Sequence, residues 1–268
     1  MSSSGVAVAQ FAPGADPDAN LAVIERLARL AAERGAGLVV FPEYSSYFDG
    51  EPSERWLPHA EALDGPFVTA LGVLADELDV IVVAGMVERA DDPQKVRNTI
   101  VALAPRRGLI ASYRKLHLYD AFGVRESDWV EAGATQAPET FTWDGFTVGL
   151  QTCYDIRFPE VTRRVVDAGA DLVLVPAEWV RGPLKEHHWH TLVTARAIEN
   201  TIYVAAAGQT PPIGVGNSLV VDPMGVALAS LGEAEDVAVA TISTDRIAEV
   251  RRVNPALVLR RFRVAESD

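Results

Sequence analysis

Three side chains that could together carry out an acyl transfer each stand at the end of an apolar run of strand length. These side chains are Glu43, Lys115 and Cys153. The runs that precede them are Leu38–Phe41, Leu109–Tyr113 and Phe146–Gln151. Because the carboxyl ends of strands border the crevice in which open α/β proteins bind ligands, we expect the three side chains to share one site.

A thiol, a carboxylate and an ammonium group can divide this chemistry between them. A thiol attacks as the thiolate, and with an ordinary pKa of ~8.5 it needs a base or a positive neighbour near neutral pH. Glu43 can be that base if burial raises its pKa, and Lys115 can stabilise the oxyanion that forms on the attacked carbonyl. The three residue types therefore favour acyl transfer through a covalent Cys153 intermediate.

The same residues also allow a structural interpretation. Cys153 is the only cysteine of the chain, and a single buried cysteine is often an inert packing residue. A glutamate or a lysine at the end of a strand is commonly a solvated loop residue. Position after a strand therefore leaves both alternatives open.

The elements that must position these side chains alternate along the whole chain. Period and composition predict ten strands: Val6–Phe11, Leu38–Phe41, Val80–Gly85, Thr99–Ala104, Leu109–Tyr113, Phe146–Gln151, Leu172–Pro176, Ile202–Ala207, Ser218–Val221 and Val237–Ile242. The turn signal Asp144-Gly145 predicts a hairpin between 141–143 and the Phe146 strand. This pattern indicates an α/β protein with more than one sheet, or with one very wide sheet.

Four amphipathic helices are predicted between the strands. The first begins at Asp16-Pro17, where a capping carboxylate precedes a proline suited to the first turn, and it ends at Gly35. The others begin near Gly65-Pro66, near Phe158-Pro159 and at Leu184, the last running to Asn200. We expect one domain over residues 5–250 and a C-terminal arm over residues 251–268.

Composition excludes several classes of function. The 268 residues carry a net charge of −13, which disfavours binding to nucleic acid or to anionic membranes. A single cysteine cannot form an internal disulfide and suits a reducing compartment. The first residues lack the features of a secretory signal, and no apolar run reaches the ~18 residues of a membrane span. We therefore expect a cytoplasmic protein.

Several multi-residue blocks, in order along most of the chain, are similar to those of one enzyme family. The blocks are Val8–Gln10, Val39–Glu43, Tyr113–Leu118, Cys153–Glu160, His188-Trp189, Ala195–Asn200, Asn217-Ser218 and Asp222–Gly225. In these blocks the chain resembles the nitrilase superfamily of carbon–nitrogen hydrolases, whose members carry a Glu–Lys–Cys catalytic set.

The resemblance implies a role for each member of the site. Glu43 matches the general base of the family, Lys115 its oxyanion-stabilising lysine and Cys153 its nucleophile. The backbone N–H of Tyr154 matches a second oxyanion donor. Glu126 matches a second glutamate that holds the lysine and the substrate, and Glu131 is the rival for that position.

The resemblance also implies the architecture, the assembly and the reaction. It predicts a four-layer αββα sandwich of two mixed sheets. It also predicts a homodimer or higher homo-oligomer with exchanged C-terminal arms, and the apolar side chains of Leu257, Val258 and Leu259 would suit such a contact. It implies hydrolysis of a small non-peptide amide, releasing ammonia or an amine and a carboxylic acid, with neither metal nor organic cofactor. Nitrile hydrolysis, acyl transfer and a catalytically silent scaffold are the alternatives.

Further residues are candidates for substrate binding. Arg181, Trp179 and His188 are assigned to this role, and an Arg181 that faced the pocket would favour a monoamide with a distal carboxylate, as in the omega-amidase and deaminated-glutathione amidase branches. Arg157 fits a structural ion pair with Asp155 or Glu160 better.

No histidine is assigned a metal-ligand or catalytic role. The His187–His190 cluster lacks an acidic or thiol partner at metal-ligand spacing, so we predict no metal there. His117 is two residues beyond Lys115, and we predict that it is structural or supports the site indirectly.

Overall fold

The computed structural model describes residues 3–265, and in these residues strands and helices alternate as the sequence indicates. Thirteen strands, β1 to β13, are Ser3–Gln10, Leu38–Val40, Ile81–Arg89, Val96–Ala104, Gly108–Arg114, Val130–Glu131, Thr140–Trp143, Phe146–Leu150, Leu172–Ala177, Tyr203–Gly208, Leu219–Val221, Ala227–Ser230 and Asp236–Ser243. Five helices, α1 to α5, are Pro17–Glu33, Pro66–Leu78, Pro159–Asp167, Lys185–Asn200 and Thr244–Val253. None of these helices is both long enough and apolar enough to cross a membrane.

The strands form two mixed sheets. The first has the order β13-β1-β2-β3-β4-β5, with β6 added beside β4, and the second has the order β12-β11-β10-β9-β8-β7. In each sheet three neighbouring strands are parallel, namely β1, β2 and β3 in one and β8, β9 and β10 in the other. The other strands pair antiparallel, except that β6 pairs parallel with β4, and this gives each sheet its mixed character.

Alternation along the strands separates a core between the two sheets from the cores beneath the helices on their outer faces. Val6 and Val8 of β1 point into a core between the two sheets, whereas Ala7 and Ala9 belong to the core beneath α1 and α2. In the second sheet, the residues on the other face of β9 pack beneath α3 and α4. Both faces of each sheet are therefore covered, and the architecture is the predicted four-layer αββα sandwich.

Strand direction brings the predicted site residues to one edge of the molecule. β2 is parallel to β3, and the two antiparallel pairings from β3 to β4 and from β4 to β5 leave β5 running in the same direction as β2. The carboxyl ends of β2 and β5, which precede Glu43 and Lys115, thus lie at the same edge of the first sheet.

Each of the ten predicted strands overlaps an observed one, and the four predicted helices are present. The predicted hairpin is also confirmed, because β7 and β8 pair antiparallel around Asp144 and Gly145, which both have positive φ. The sequence analysis missed β6, β12 and α5. α5 extends to Val253, so the predicted start of the arm at residue 251 falls inside a helix.

The chain beyond α5 has no regular structure up to residue 265, and residues 266–268 of the predicted arm lie outside the described part. Leu257 packs against the core beneath α3 and α4, and Arg260 pairs with Asp167 of α3 at 2.6 Å. Val258 and Leu259, by contrast, expose their apolar side chains.

Candidate active site

Glu43 follows β2 on a segment that is fixed by the neighbouring strand. The backbone N–H of Phe41 donates to the carbonyl of Val83 (2.8 Å), and that of Gly85 donates to the carbonyl of Pro42 (3.1 Å). A Cβ at Gly85 would lie 2.7 Å from Glu43 Cα, so only glycine allows this close approach of the two backbones. Glu43 is almost completely buried, with 1% exposure.

Lys115 directly follows β5 and is buried as deeply as its partners. Its Nζ donates to Glu43 Oε1 at 2.9 Å and to Glu126 Oε2 at 2.9 Å. Its backbone is held on both sides, because its N–H donates to the Asn98 carbonyl and its carbonyl accepts from Gly133 N–H. The ammonium group therefore has little freedom to move.

Glu126, in a short 3₁₀ turn over Glu126–Asp128, is the second carboxylate on this lysine. It accepts hydrogen bonds from Tyr44 OH and from the backbone N–H of Tyr119, both at 2.5 Å. Its rival Glu131 instead accepts from Arg97 Nε at 2.9 Å, away from Lys115. The structure thus brings Glu126, and not Glu131, to Lys115.

Asn98 of β4 joins the two carboxylates and was not identified from the sequence. Its Nδ2 donates to Glu43 Oε1 at 2.6 Å and lies 3.2 Å from Glu126 Oε1. The backbone N–H of Glu178 donates to the other oxygen of Glu43 at 2.7 Å. These donors fix the Glu43 carboxylate and offset the desolvation of the buried charges.

Cys153 follows β8 and begins a short 3₁₀ turn over Cys153–Arg157. Its φ of 42° is a left-handed conformation that cysteine rarely adopts, and such strain is typical of residues at functional sites. The turn is held by Asp155, which is fully buried and accepts from Thr152 N–H (3.1 Å) and from Tyr113 OH (2.7 Å). Asp155 therefore links the nucleophile turn to β5.

His117 also contacts this aspartate rather than the thiol. Its backbone N–H donates to Asp155 Oδ1 at 3.0 Å, and its Nδ1 lies 2.8 Å from the same oxygen. Its ring stacks on Phe158 with the centroids 3.7 Å apart. These contacts agree with the prediction that His117 is structural or supports the site indirectly.

The charges of the site act on one another. Burial alone would lower the pKa of Lys115, but the charges of Glu126 and Glu43 outweigh burial and hold this pKa well above its usual value. Burial would raise the pKa of Glu126, yet Lys115 and the Tyr44 hydroxyl hold it below its usual value. Lys115 and Glu126 are therefore a charged pair over the whole neutral range.

The thiol of Cys153 is protonated at rest. Burial and the carboxylate of Glu43 raise its pKa well above the usual value, although Lys115 acts in the opposite direction. A neutral thiol beside a carboxylate requires the carboxylate to take its proton during attack. This arrangement suits Glu43 as a general base.

One cavity of about 300 Å³ contains Cys153, Lys115 and Glu126 in its wall, a size suited to a small ligand. The wall also includes Tyr119, Tyr154, Arg157, Glu178, Trp179 and Lys185. Of these, Tyr119, Glu178 and Lys185 were not identified from the sequence.

Two cations, Arg157 and Lys185, lie together on the side of the cavity formed by Trp179. Arg157 Cζ lies 4.8 Å from the Trp179 ring, and Lys185 Nζ lies 4.0 Å from the Phe122 ring and 2.7 Å from Tyr119 OH. Arg157 makes no ion pair with Asp155 or Glu160 among residues 3–265, which corrects the sequence interpretation, and its buried Nε has no hydrogen-bond partner there. Cation–π contacts take the place of that ion pair.

The predicted substrate-binding residues divide into two groups. Tyr154 and Trp179 line the cavity. Arg181 lies outside its wall and pairs with Glu233 at 3.0 Å, which corrects the expectation that it faces the pocket. His188 is also outside the wall, with its Nδ1 3.4 Å from Arg157 Nη2. Val180 lines the cavity and pairs with Gly214 in an isolated bridge, and neighbouring side chains of such an extended segment point to opposite sides, which places Arg181 on the side away from the cavity.

No group of three or more His, Cys, Asp or Glu side chains within residues 3–265 has the arrangement of a metal site. The His187–His190 segment belongs to this described part and lies in α4.

Known proteins are similar to this chain in sequence and in fold. The carbon–nitrogen hydrolase family model matches residues 5–252. A deaminated glutathione amidase of Escherichia coli O157:H7 is 38% identical over 96% of this chain and 97% of its own length. A carbon–nitrogen hydrolase superfamily protein of Xanthomonas campestris, solved with an arsenic adduct in its active site, has a TM-score of 0.84 and 29% identity over 99% of this chain and all of its own.

A variant of the Nesterenkonia sp. AN1 amidase is a further solved relative. It has a TM-score of 0.80 and 28% identity over 96% of this chain and 100% of its own, and it shows Michael addition of acrylamide at its active-site cysteine. Sequence and fold agree that this chain belongs to the carbon–nitrogen hydrolase family of the nitrilase superfamily and is an amidase-type hydrolase of carbon–nitrogen bonds.

Proposed function

We propose that Glu43, Lys115 and Cys153 hydrolyse a small non-peptide amide through a thioester on Cys153. The observation that carries this assignment is the position of Lys115, which is held between two carboxylates in the wall of the cavity that contains the thiol. This arrangement supplies a nucleophile, a base and a fixed cation to a single carbonyl group.

The reaction begins from the neutral thiol. Glu43 takes the thiol proton as Sγ bonds to the amide carbon, and the oxyanion is stabilised by Lys115 and by the backbone N–H of Tyr154. When the intermediate collapses, Glu43 protonates the departing amine and the acyl group remains on Cys153. Glu43 then accepts a proton from water, which attacks the thioester and releases the acid.

We place a carboxylate in the distal part of the substrate, and Arg157 and Lys185 support this choice. Both cations line the cavity, and Arg157 carries a buried Nε without a hydrogen-bond partner in the described residues. A planar guanidinium is suited to bind a carboxylate through two parallel hydrogen bonds. The proposed substrate is therefore the monoamide of a dicarboxylic acid or a related acidic amide, in the class named for the deaminated glutathione amidase relatives.

Ammonia release over a matched panel tests this function. The panel contains succinamate, its neutral counterpart succinamide, a carbamoyl compound and a nitrile. We expect turnover of the amides with preference for succinamate, and no turnover by a folded C153A variant. Equal kcat/KM for succinamate and succinamide would contradict the carboxylate assignment, and ammonia release by the C153A variant would contradict the nucleophile.

We also propose that the enzyme is cytoplasmic and forms a homodimer through its C-terminal segment. A lone cysteine that must stay reduced for catalysis supports the location. Val258, Leu259 and Phe262 support the dimer, because their side chains are 84%, 69% and 88% exposed. Apolar groups exposed so close together favour burial against a second copy.

A further inference from the structure

Glu178 is a carboxyl group in the cavity that the reaction described above does not use. It directly follows β9, and its backbone N–H is fixed by the hydrogen bond to Glu43 Oε2 at 2.7 Å. Its side chain is half-buried in the cavity wall beside Trp179. Its carboxyl oxygens accept no hydrogen bond from any residue in the range 3–265, so no direct partner holds this group in the described chain.

The groups that face Glu178 come from several elements. The carboxylates are Glu43 after β2, Glu126 in its short turn and Glu51 in the loop at the cavity mouth. The cations that act on it or are affected by it are Lys115 after β5 and Lys185 at the start of α4. Burial and the charge of Glu43 raise the pKa of Glu178 to about 8, while Lys115 opposes the shift.

The state of this carboxyl group decides what the distal part of the cavity can hold. With a pKa of about 8 the carboxyl group is mostly protonated at neutral pH, and a substrate carboxylate near Arg157 and Lys185 then meets two cations with little opposing charge from Glu178. When Glu178 ionises, the same substrate meets a fixed negative charge within one cavity of low polarity, where repulsion is poorly screened. An amide without a carboxylate experiences no such change.

We propose that Glu178 is a specificity residue that sets the upper pH limit for carboxylate-bearing amides. This inference rests on the acidic substrate class proposed above. Ionisation of Glu178 lowers affinity for the anionic amide, so KM for that substrate rises on the alkaline side while the chemical step is shared with neutral amides.

The test compares kcat/KM for succinamate and succinamide from pH 6 to pH 9.5 in the wild type and in E178Q. Because both substrates use the same thiol and lysine, the ratio of their kcat/KM values removes the titration of those groups. We expect the wild-type ratio to fall about fivefold or more between pH 7 and pH 9, equivalent to roughly 1 kcal/mol of repulsion. The ratio for E178Q should stay constant within about twofold.

Two further variants separate Glu178 from its neighbours. Burial and the charge of Arg157 lower the pKa of Lys185, so loss of its proton is a rival cause of an alkaline decline. The rival predicts that E178Q keeps the decline and that K185M loses it, and this result would overturn the proposal. E51Q, which removes an exposed carboxylate from the same cavity, should retain the wild-type decline.

The two proposals fail in different ways. A wild-type ratio near one at pH 7 counts against the acidic substrate class. A ratio that does not change with pH counts against the role of Glu178, whatever its value at pH 7. Thermal unfolding of E178Q at both pH values excludes a loss of fold as the cause of either result.

Discussion

Among the individual residues of the site, Lys115 is charged whereas Cys153 is neutral. Lys115 remains charged although buried, because two carboxylates and their own donors surround it. Cys153 remains neutral although it lies near that lysine, because burial and Glu43 favour the protonated thiol. In the proposed reaction the attack therefore includes proton transfer to Glu43 and does not start from a stored thiolate.

The raised pKa of Cys153 predicts that its thiol is protonated in the resting enzyme. The ultraviolet absorbance of a thiolate, taken as the difference between wild type and C153A, should be absent at every pH up to the ordinary thiol pKa of ~8.5. The raised pKa of Cys153 leaves the protonated form dominant there. A thiolate signal that is complete at pH 7 would contradict the role of Glu43 as the base in attack.

The residues that the sequence could and could not predict differ in what fixes them. Glu43, Lys115 and Cys153 could be assigned because they stand in recognisable blocks, and Glu126 because of its distance from the lysine along the chain. Asn98 lies inside a strand, and only the pairing of β4 with its neighbours brings it to both carboxylates. Arg181 was misplaced because the pairing of its segment with residues 213–214, distant along the chain, decides which side chains of that segment reach the cavity.

Glu178 is a different case. It follows the predicted strand Leu172–Pro176 almost as directly as Glu43 follows its own, so the signal that found the other site residues was present. No family block that we recognised contains it. Its position at the end of a predicted strand was therefore enough to make Glu178 a candidate for the site.

Among the secondary-structure elements, β3 has a role beyond packing, because it allows the Glu43 segment to approach. Gly85 lies where an added Cβ would be 2.5 Å from Tyr44 N and 2.7 Å from Glu43 Cα. Ser46 N–H also donates to the Gly85 carbonyl at 3.2 Å. The position of the Glu43 carboxylate therefore depends on the absence of a side chain on a neighbouring strand.

A matched pair of glycine variants tests this dependence. Gly85→Ala should destabilise the protein by about 2 kcal/mol or more and lower kcat, because backbone must move to accept the methyl group. Gly72→Ala in α2, where an added Cβ meets nothing within 4 Å, should leave kcat unchanged and stabilise by up to about 1 kcal/mol. Denaturant unfolding and ammonia release measure both effects. Equal behaviour of the two variants would contradict the account.

Most elements could be predicted because both faces of each sheet are covered. A strand that is buried on both sides, such as β9, is apolar at nearly every position and cannot be confused with a surface loop. The missed β12 is largely exposed and has no such pattern, and β6 has only two residues. The missed α5 buries only Ile247 and Val250, too few for a clear apolar face.

At the scale of the whole molecule, the two sheets and their helices leave apolar side chains exposed on the C-terminal segment. Leu257 is packed and Arg260 is paired with Asp167, so this segment is held against α3 while its neighbours face solvent. The proposed homodimer buries the exposed side chains against the second copy.

Light scattering after size exclusion tests the assembly. We expect a mass of twice 28.9 kDa at micromolar concentration. A double substitution of Leu259→Asp and Phe262→Asp should shift the mass toward that of the monomer, because charge would be buried in the interface. Val73→Asp, which replaces an exposed valine (62%) on α2, serves as the control and should remain dimeric. A monomeric wild type would contradict the proposal.

The proposed thioester on Cys153 is tested most directly by intact-mass analysis of the enzyme after rapid acid quenching during turnover of succinamate. We expect a mass increase equal to the succinyl group, located by digestion on the peptide that contains Cys153. The increase should be absent in C153A. Added hydroxylamine should remove the succinyl group from the wild type as a hydroxamate. Succinyl label on any other residue, or ammonia release by the C153A variant, would contradict the thioester mechanism.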